Sequence, residues 1–170
     1  LAINPDEPDV LCGYAKMISQ QPGRQSEAEE YLLRAIRSTP YHDNARLNYA
    51  AFLSQQTERQ QDADKAYADA AIARPSDPRI AKSYARFLLR QQGRRADALV
   101  WAARAAELGV HDADAQHIHG LLLSWTDGRD EEAEKAYGRA LAIDGSQFAS
   151  LFGMALLLQR QRGREAEAVV

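Results

Sequence analysis

The chain has 170 residues, of which 45% are hydrophobic, with one cysteine and a formal net charge of −3. A chain of this length can bury a sizeable core, and its weakly acidic balance argues against the basic face that a general nucleic-acid binder needs. It has no apolar run of about 20 residues that could span a membrane. One cysteine cannot form an internal disulfide, which favours a reducing compartment, so we expect an intracellular, cytoplasmic protein.

The sequence repeats itself with a period of 35 residues and no gaps. Two positions of the period hold alanine, the first at Ala28, Ala63, Ala98, Ala133 and Ala168 and the second at Ala35, Ala70, Ala105 and Ala140. A third position holds Arg24, Arg59, Arg94, Arg129 and Arg164, and an acidic residue follows each arginine three positions later. A repeat of this length predicts an array of stacked supersecondary units.

In chain order, residues 1–5 are predicted to end a helix that belongs to a preceding repeat. Complete repeats follow at 6–40, 41–75, 76–110 and 111–145, and a truncated repeat at 146–170. Each repeat is predicted to form two helices with a glycine turn between them, at Gly23, Gly93, Gly128 and Gly163, while Glu58 replaces the glycine of the second repeat. Since the period is cut at both ends, we expect the chain to be a segment of a longer protein.

Local signals place the two helices within each repeat. The pair Asp77-Pro78 is a helix start, because an aspartate can cap the first turn and proline is favoured at the first helical position. The second helix opens with acidic residues, which suit its positive end, and proline ends it at Pro5, Pro40 and Pro75. The alanines are predicted to lie in the core, where small side chains let helices approach closely.

The unit length, the small residue at Ala15 and the pattern EAEEYLLRAI from Glu27, followed by Pro40, resemble the tetratricopeptide repeat family over essentially the whole chain. Each unit is one residue longer than is usual for that family, and its early tryptophan is missing. The resemblance implies an all-α, right-handed superhelical solenoid of antiparallel helix pairs. It also implies a concave groove, lined by the first helices, that receives peptides or helices.

Two groups of side chains are predicted to line that groove. The first group is polar and basic: Lys16, Asn48, Arg79, Lys82 and Arg86. The second group is apolar: Ile118, Leu121, Trp125, Phe152 and Leu156. A basic wall would attract an acidic peptide, or it could simply be a solvated charged face. The apolar group could receive a partner helix or pack against further repeats.

Trp125 is unusual for its position in the period, which otherwise holds Gln20, Gln55, Arg90 and Arg160. A large aromatic residue in a polar column suggests an interface anchor, or else a half-exposed ring that lies over the following loop. Trp101 shares its position with Tyr31 and is predicted to pack internally.

The sequence contains no recognisable catalytic, metal-binding or cofactor-binding motif. His117 and His119 are two residues apart, so they point about 200° away from each other around a helix and cannot share a metal. His119 takes the place of the core tyrosines of other repeats, and Cys12 has no nearby base to activate it. The recurring arginines are predicted to pair with the following acids in a structural turn. We therefore predict no enzyme activity, no metal and no cofactor.

These observations predict a non-catalytic protein–protein interaction scaffold that presents its groove to a peptide or a partner subunit, within a larger assembly. Two alternatives stay open. The chain could be a co-chaperone-like receptor for an acidic C-terminal peptide, in which case Asn48 and Arg79 match two of the five clamp positions known in the family. It could also be the regulatory or targeting arm of an enzyme whose catalytic domain lies elsewhere.

Overall fold

The computed structural model describes residues 7–39 and 44–168, with side chains as far as residue 163. Within these ranges the chain forms α-helices and turns and no β-strand. The helices are α1 (Pro8–Ser19), α2 (Gln25–Ser38), α3 (Ala45–Ser54), α4 (Gln60–Ala73), α5 (Pro78–Leu89), α6 (Arg95–Leu108), α7 (Ala113–Ser124), α8 (Asp130–Ile143) and α9 (Phe148–Ala168). Of the sequence predictions, the helix end at residues 1–5 and the stop at Pro40 lie outside the described residues.

The chain divides into two compact units, Leu1–Ile80 and Ala81–Val170, here called the N-terminal and the C-terminal unit. In the N-terminal unit α1 packs on α2, α3 packs on α4, and α3 also contacts α1 and α2. In the C-terminal unit α7 contacts α6, α8 and α9, and α8 contacts α9. Within each unit, consecutive helices therefore pack on one another and on the next helix along the chain.

The alanine columns lie in the core. Every described member of the two columns is at most 1% exposed: Ala28, Ala63, Ala98, Ala133, Ala35, Ala70, Ala105 and Ala140. An alanine at a helix contact allows the two backbones to approach to the lower end of the usual 8–10 Å separation. Larger side chains, among them Ile18, Phe87 and Tyr137, are buried with the alanines. This prediction is confirmed.

In three repeats the turn between the two helices contains the predicted glycine, and in the other two repeats the chain takes a different path. Gly23, Gly93 and Gly128 adopt positive φ angles of 75–81°, which a residue with a Cβ adopts only at a cost. In the second repeat, where Glu58 stands, the chain instead makes a short 3₁₀ turn at Thr57–Arg59.

The predicted break at Gly163 is wrong, because α9 continues through it to Ala168. Gly163 does not adopt the positive φ angle of Gly23, Gly93 and Gly128. The helix continues through it, with one further hydrogen bond for each residue added.

Polar contacts fix the helix ends. Asp77 accepts a hydrogen bond from the backbone N–H of Arg79 at 2.9 Å, and Asp112 accepts one from the N–H of Ala115 at 3.1 Å. The recurring arginines pair with the acids three residues later, as predicted, in Arg24–Glu27, Arg59–Asp62, Arg94–Asp97 and Arg129–Glu132. The side chains of Arg164 and Glu167 are not among the described ones.

Candidate functional site: an apolar groove in the C-terminal unit

An open groove of about 600 Å³ lies between α7, α8 and α9. Both walls are built by residues four apart, which share one face of a helix. Leu121 and Trp125 come from the end of α7, and Phe148, Phe152 and Leu156 come from α9. Four of the five predicted apolar residues therefore meet in one place.

The groove exposes more apolar surface than an interior wall would. Phe148 is 77% exposed, Phe152 56% and Leu156 50%. The rings of Phe148 and Phe152 lie nearly parallel, with centroids 6.2 Å apart. Contiguous exposed aromatic surface of this kind marks interaction sites on proteins.

The floor of the groove is the ring of Tyr137, which enters from α8 and is 1% exposed. Two glycines make room for it. A Cβ on Gly153 of α9 would lie 2.6 Å from Tyr137 Cζ, and a Cβ on Gly120 of α7 would lie 3.0 Å from Tyr137 Cδ1. Burial raises the pKa of the Tyr137 hydroxyl, against a hydrogen bond with Ser124 that lowers it. The floor is therefore neutral over the physiological pH range.

One polar group lies at the Phe148 end of the groove. His117 Nδ1 is 3.0 Å from Ser150 Oγ, and the imidazole ring lies 5.8 Å from the ring of Tyr137. Burial lowers the pKa of His117 and outweighs the field of Asp114, which raises it. The imidazole is consequently neutral at neutral pH and adds a hydrogen-bonding group without a charge.

Trp125 stands at the opposite end, where it is 46% exposed and caps the C-terminus of α7. The guanidinium of Arg95 lies over its ring, 5.0 Å from the centroid. Arg160 is also at this end and is held by Asp130 and by the carbonyl oxygen of Ser124 at 2.8 Å. Trp101 behaves differently, since it packs against Tyr84 with ring centroids 4.8 Å apart.

The structure does not bring every predicted apolar residue to the groove. Ile118 is 4% exposed and belongs to the interior, so its predicted groove position is wrong. The sequence analysis also missed Phe148 and Tyr137. Phe148 could have been found, because it lies four residues before Phe152 on the same helix face. Nothing in the sequence pattern indicated that Tyr137, on a second helix, would reach the groove.

The predicted basic residues of the C-terminal unit are paired with carboxylates. Lys82 Nζ contacts Asp112, and the Arg86 guanidinium lies 3.3 Å from Asp114. Both carboxylates come from the start of α7, the first helix of the next repeat. The positive charges of Lys82 and Arg86 are therefore neutralised within the C-terminal unit.

In the N-terminal unit, Arg79 is held by Asp77 at 2.7 Å and by the side-chain oxygen of Asn44 at 2.7 Å. The amide of Asn44 in turn donates to Asp9 at 3.4 Å. Asp9, Asn44 and Arg79 are each 35 residues from the next. Their hydrogen bonds form a ladder across neighbouring repeats and follow the period of the sequence.

A smaller cavity of about 160 Å³ lies between α1 and α3 in the N-terminal unit, and Lys16 and Asn48 line it. Cys12 is buried beside them, and burial raises the pKa of its thiol despite a hydrogen bond with Asn48 that lowers it. The thiol is thus protonated and unreactive near neutral pH.

Among the described residues, no three His, Cys, Asp or Glu side chains are grouped so as to hold a metal ion. His119 is half-buried and burial lowers its pKa, as fits the core position predicted for it. The described helices also include none that is long and apolar enough to cross a membrane.

The fold and the helix-pair repeat define the class as an all-α repeat protein, and the comparison with solved structures agrees. PilF of Pseudomonas aeruginosa superposes with a TM-score of 0.76 at 21% identity, over 92% of this chain and 69% of that one. MamA of Desulfovibrio magneticus RS-1 superposes with a TM-score of 0.73 at 17% identity, over 98% and 92%. YrrB, described as a TPR protein with an unusual peptide-binding site, gives 0.69 at 17% identity, over 95% and 81%.

The chain therefore has a tetratricopeptide-like repeat fold, and the predicted all-α fold is confirmed. No protein-family model and no curated protein sequence matches the chain.

Proposed function

We propose that the chain is a non-catalytic protein–protein interaction scaffold that binds a peptide or a partner subunit through the groove of its C-terminal unit. The observation that supports this most is the exposed apolar surface of Phe148, Phe152 and Leu156, which surrounds an open cavity. Because folded helices present the groove, little conformational entropy is lost by the scaffold when a partner binds. The peptide-binding site named for YrrB, a protein of the same fold, fits this proposal.

The alternative of an acidic-peptide receptor has less support. Lys82 and Arg86 already contact Asp112 and Asp114, and Arg79 contacts Asp77, so an acidic ligand would have to displace existing partners. The apolar groove has no such competitor.

The proposal is tested by affinity capture from an extract of the source cells, with quantification by mass spectrometry. We expect the double variant Phe152→Ala/Leu156→Ala to reduce capture of the principal partner at least about tenfold, because buried apolar anchors carry most of the binding energy. The matched control is Val100→Ala, which truncates an exposed apolar side chain on α6, outside the groove.

Two outcomes bear on the alternatives. Equal capture by the groove variant and the control would contradict the proposal. Loss of capture in Lys82→Glu/Arg86→Glu, with binding intact in the groove variant, would instead establish the acidic-peptide receptor.

A further inference from the structure

The two cavities occupy the same place in the repeat. Residues that line the N-terminal cavity recur in the C-terminal groove three periods of 35 residues later, as in Lys16 and Leu121 or Asn48 and Gly153. The fold therefore builds one cavity twice, once in each unit. Any difference in what the two cavities bind must come from their side chains.

The side chains give the two cavities different chemistry. Lys16, Asn48 and Cys12 make the N-terminal cavity polar and small, at about 160 Å³. Leu121, Gly153 and the surrounding aromatic residues make the C-terminal groove apolar and large, at about 600 Å³.

Gly153 makes room for the aromatic floor of the C-terminal groove. A side chain at this position would collide with Tyr137, whose hydroxyl oxygen would lie 2.7 Å from the Cβ. With glycine at this position, the Tyr137 ring packs directly against α9 and forms the aromatic floor of the groove. At the equivalent position in the N-terminal unit, the Asn48 side chain lines the cavity and is hydrogen-bonded to Cys12.

The shape and polarity of the C-terminal groove suit an aromatic side chain. Four aromatic rings line it, from Trp125, Tyr137, Phe148 and Phe152, and a fifth, weakly polar ring comes from His117. Aromatic rings attract one another in offset-stacked and edge-to-face arrangements beyond the gain from burial alone. An entering ring could adopt either arrangement here.

The positive charge of Arg95, at the Trp125 end of the groove, indicates which kind of residue lies beside the aromatic side chain of the ligand. Arg95 lies over Trp125, and among the described residues no carboxylate pairs with it. Arg95 is exposed, so a ligand carboxylate could reach it without breaking an existing ion pair.

We infer that the C-terminal groove selects a peptide segment with an aromatic side chain followed or preceded closely by an acidic residue, and that Gly153 contributes to this selectivity by admitting the Tyr137 ring to the floor. The inference rests on the proposed function, because it names the ligand class of the same groove. The aromatic side chain occupies the space above Tyr137, and the carboxylate pairs with Arg95 beside Trp125.

The test is selection of a phage-displayed library of random 12-residue peptides on the immobilised chain. We expect enriched peptides to share a Phe, Tyr or Trp with an Asp or Glu nearby. A synthetic copy of the most enriched peptide is then titrated against variants by isothermal calorimetry. Gly153→Asn and Leu121→Lys, which introduce the residues of the N-terminal cavity, should each weaken binding roughly 30-fold, as the loss of a buried anchor does.

Two further variants complete the design. Gly13→Asn is the matched control, because Gly13 holds the same position of the period and a Cβ there meets nothing within 4 Å. It should leave the affinity unchanged. Arg95→Gln should weaken acidic peptides severalfold while leaving their aromatic preference intact. Circular dichroism checks that each variant keeps its helical content, and Leu121→Lys keeps the test decisive if Gly153→Asn unfolds.

Different results would contradict the aromatic selectivity and the proposed function. Enrichment of aliphatic peptides that still lose affinity in Leu121→Lys would overturn the aromatic selectivity and leave the groove as the binding site. Peptides that bind all variants equally would overturn both the inference and the proposed function.

Discussion

Gly13 and Gly153 show how one position of the period acquires two roles. Both lie within helices, where glycine costs about 1 kcal/mol relative to alanine. A Cβ on Gly13 would meet nothing within 4 Å, whereas one on Gly153 would overlap the buried Tyr137 ring. Of these two glycines, only Gly153 has tertiary packing that offsets the helical cost.

This contrast predicts opposite effects of the same substitution. Gly13→Ala should raise the free energy of unfolding by up to about 1 kcal/mol. Gly153→Ala should lower it, since overpacking a core contact costs about 1–3 kcal/mol. Urea unfolding followed by circular dichroism measures both values, and an equal rise in the two variants would show that Tyr137 moves aside freely.

At the scale of the element, the start of α7 combines a cap with an ion pair. Asp112 accepts the N–H of Ala115 with one carboxylate oxygen and contacts Lys82 with the other. Burial acts to raise the pKa of Asp112, but the hydrogen bonds from Lys82 and Ala115 prevail and lower it below its ordinary value. The ionised carboxylate thus joins α5 to α7 within the C-terminal unit.

The lowered pKa predicts a pH-dependent contribution to stability. A carboxyl group with a lowered folded-state pKa stabilises the fold above its unfolded pKa of about 3.9, and this contribution is lost as the pH falls through the folded value. Asp112→Asn keeps a capping side chain but cannot ionise. The free energy of unfolding of this variant should be lower than that of the wild type at pH 7, and the two values should converge in acid.

The measurement is the free energy of unfolding in urea between pH 7 and pH 3. Asp69→Asn, at an exposed position on α4, is the control and should run parallel to the wild type throughout. A constant difference between Asp112→Asn and the wild type across this range would refute the assigned ion pair.

At the scale of the whole molecule, the packing is largely between neighbours in sequence. Within each of the two compact units, the helices contact the one or two helices before and after them. In such arrays stability is approximately a sum of local and nearest-neighbour contributions. A defect should consequently weaken the helices around it more than distant ones.

Two equivalent alanines test this expectation. Ala28 of α2 and Ala133 of α8 share one column, and both are 0% exposed. Replacing either by leucine should cost about 1–3 kcal/mol through overpacking. Native-state hydrogen exchange should then show lost protection chiefly in α1 and α2 for Ala28→Leu and in α7–α9 for Ala133→Leu. A uniform loss in both variants would show that the molecule unfolds as one cooperative block instead.

Much of this protein follows from the sequence alone, because much of it is local. The alanine columns, the glycine turns and the cap at Asp77 depend on spacing within a helix or on the backbone of one turn, and the period repeats them. Four groove residues, Leu121, Trp125, Phe152 and Leu156, could be predicted for the same reason, since residues four apart share a helix face.

The tertiary structure alone decided what those faces meet. It buried Ile118, paired Lys82 and Arg86 with carboxylates of the next helix pair, and carried α9 past Gly163. It also brought Tyr137 from another helix to the floor of the groove. The period defines the direction of each side chain around its own helix. The depth and charge of a groove depend on long side chains from other helices, whose positions are determined by packing across tens of residues.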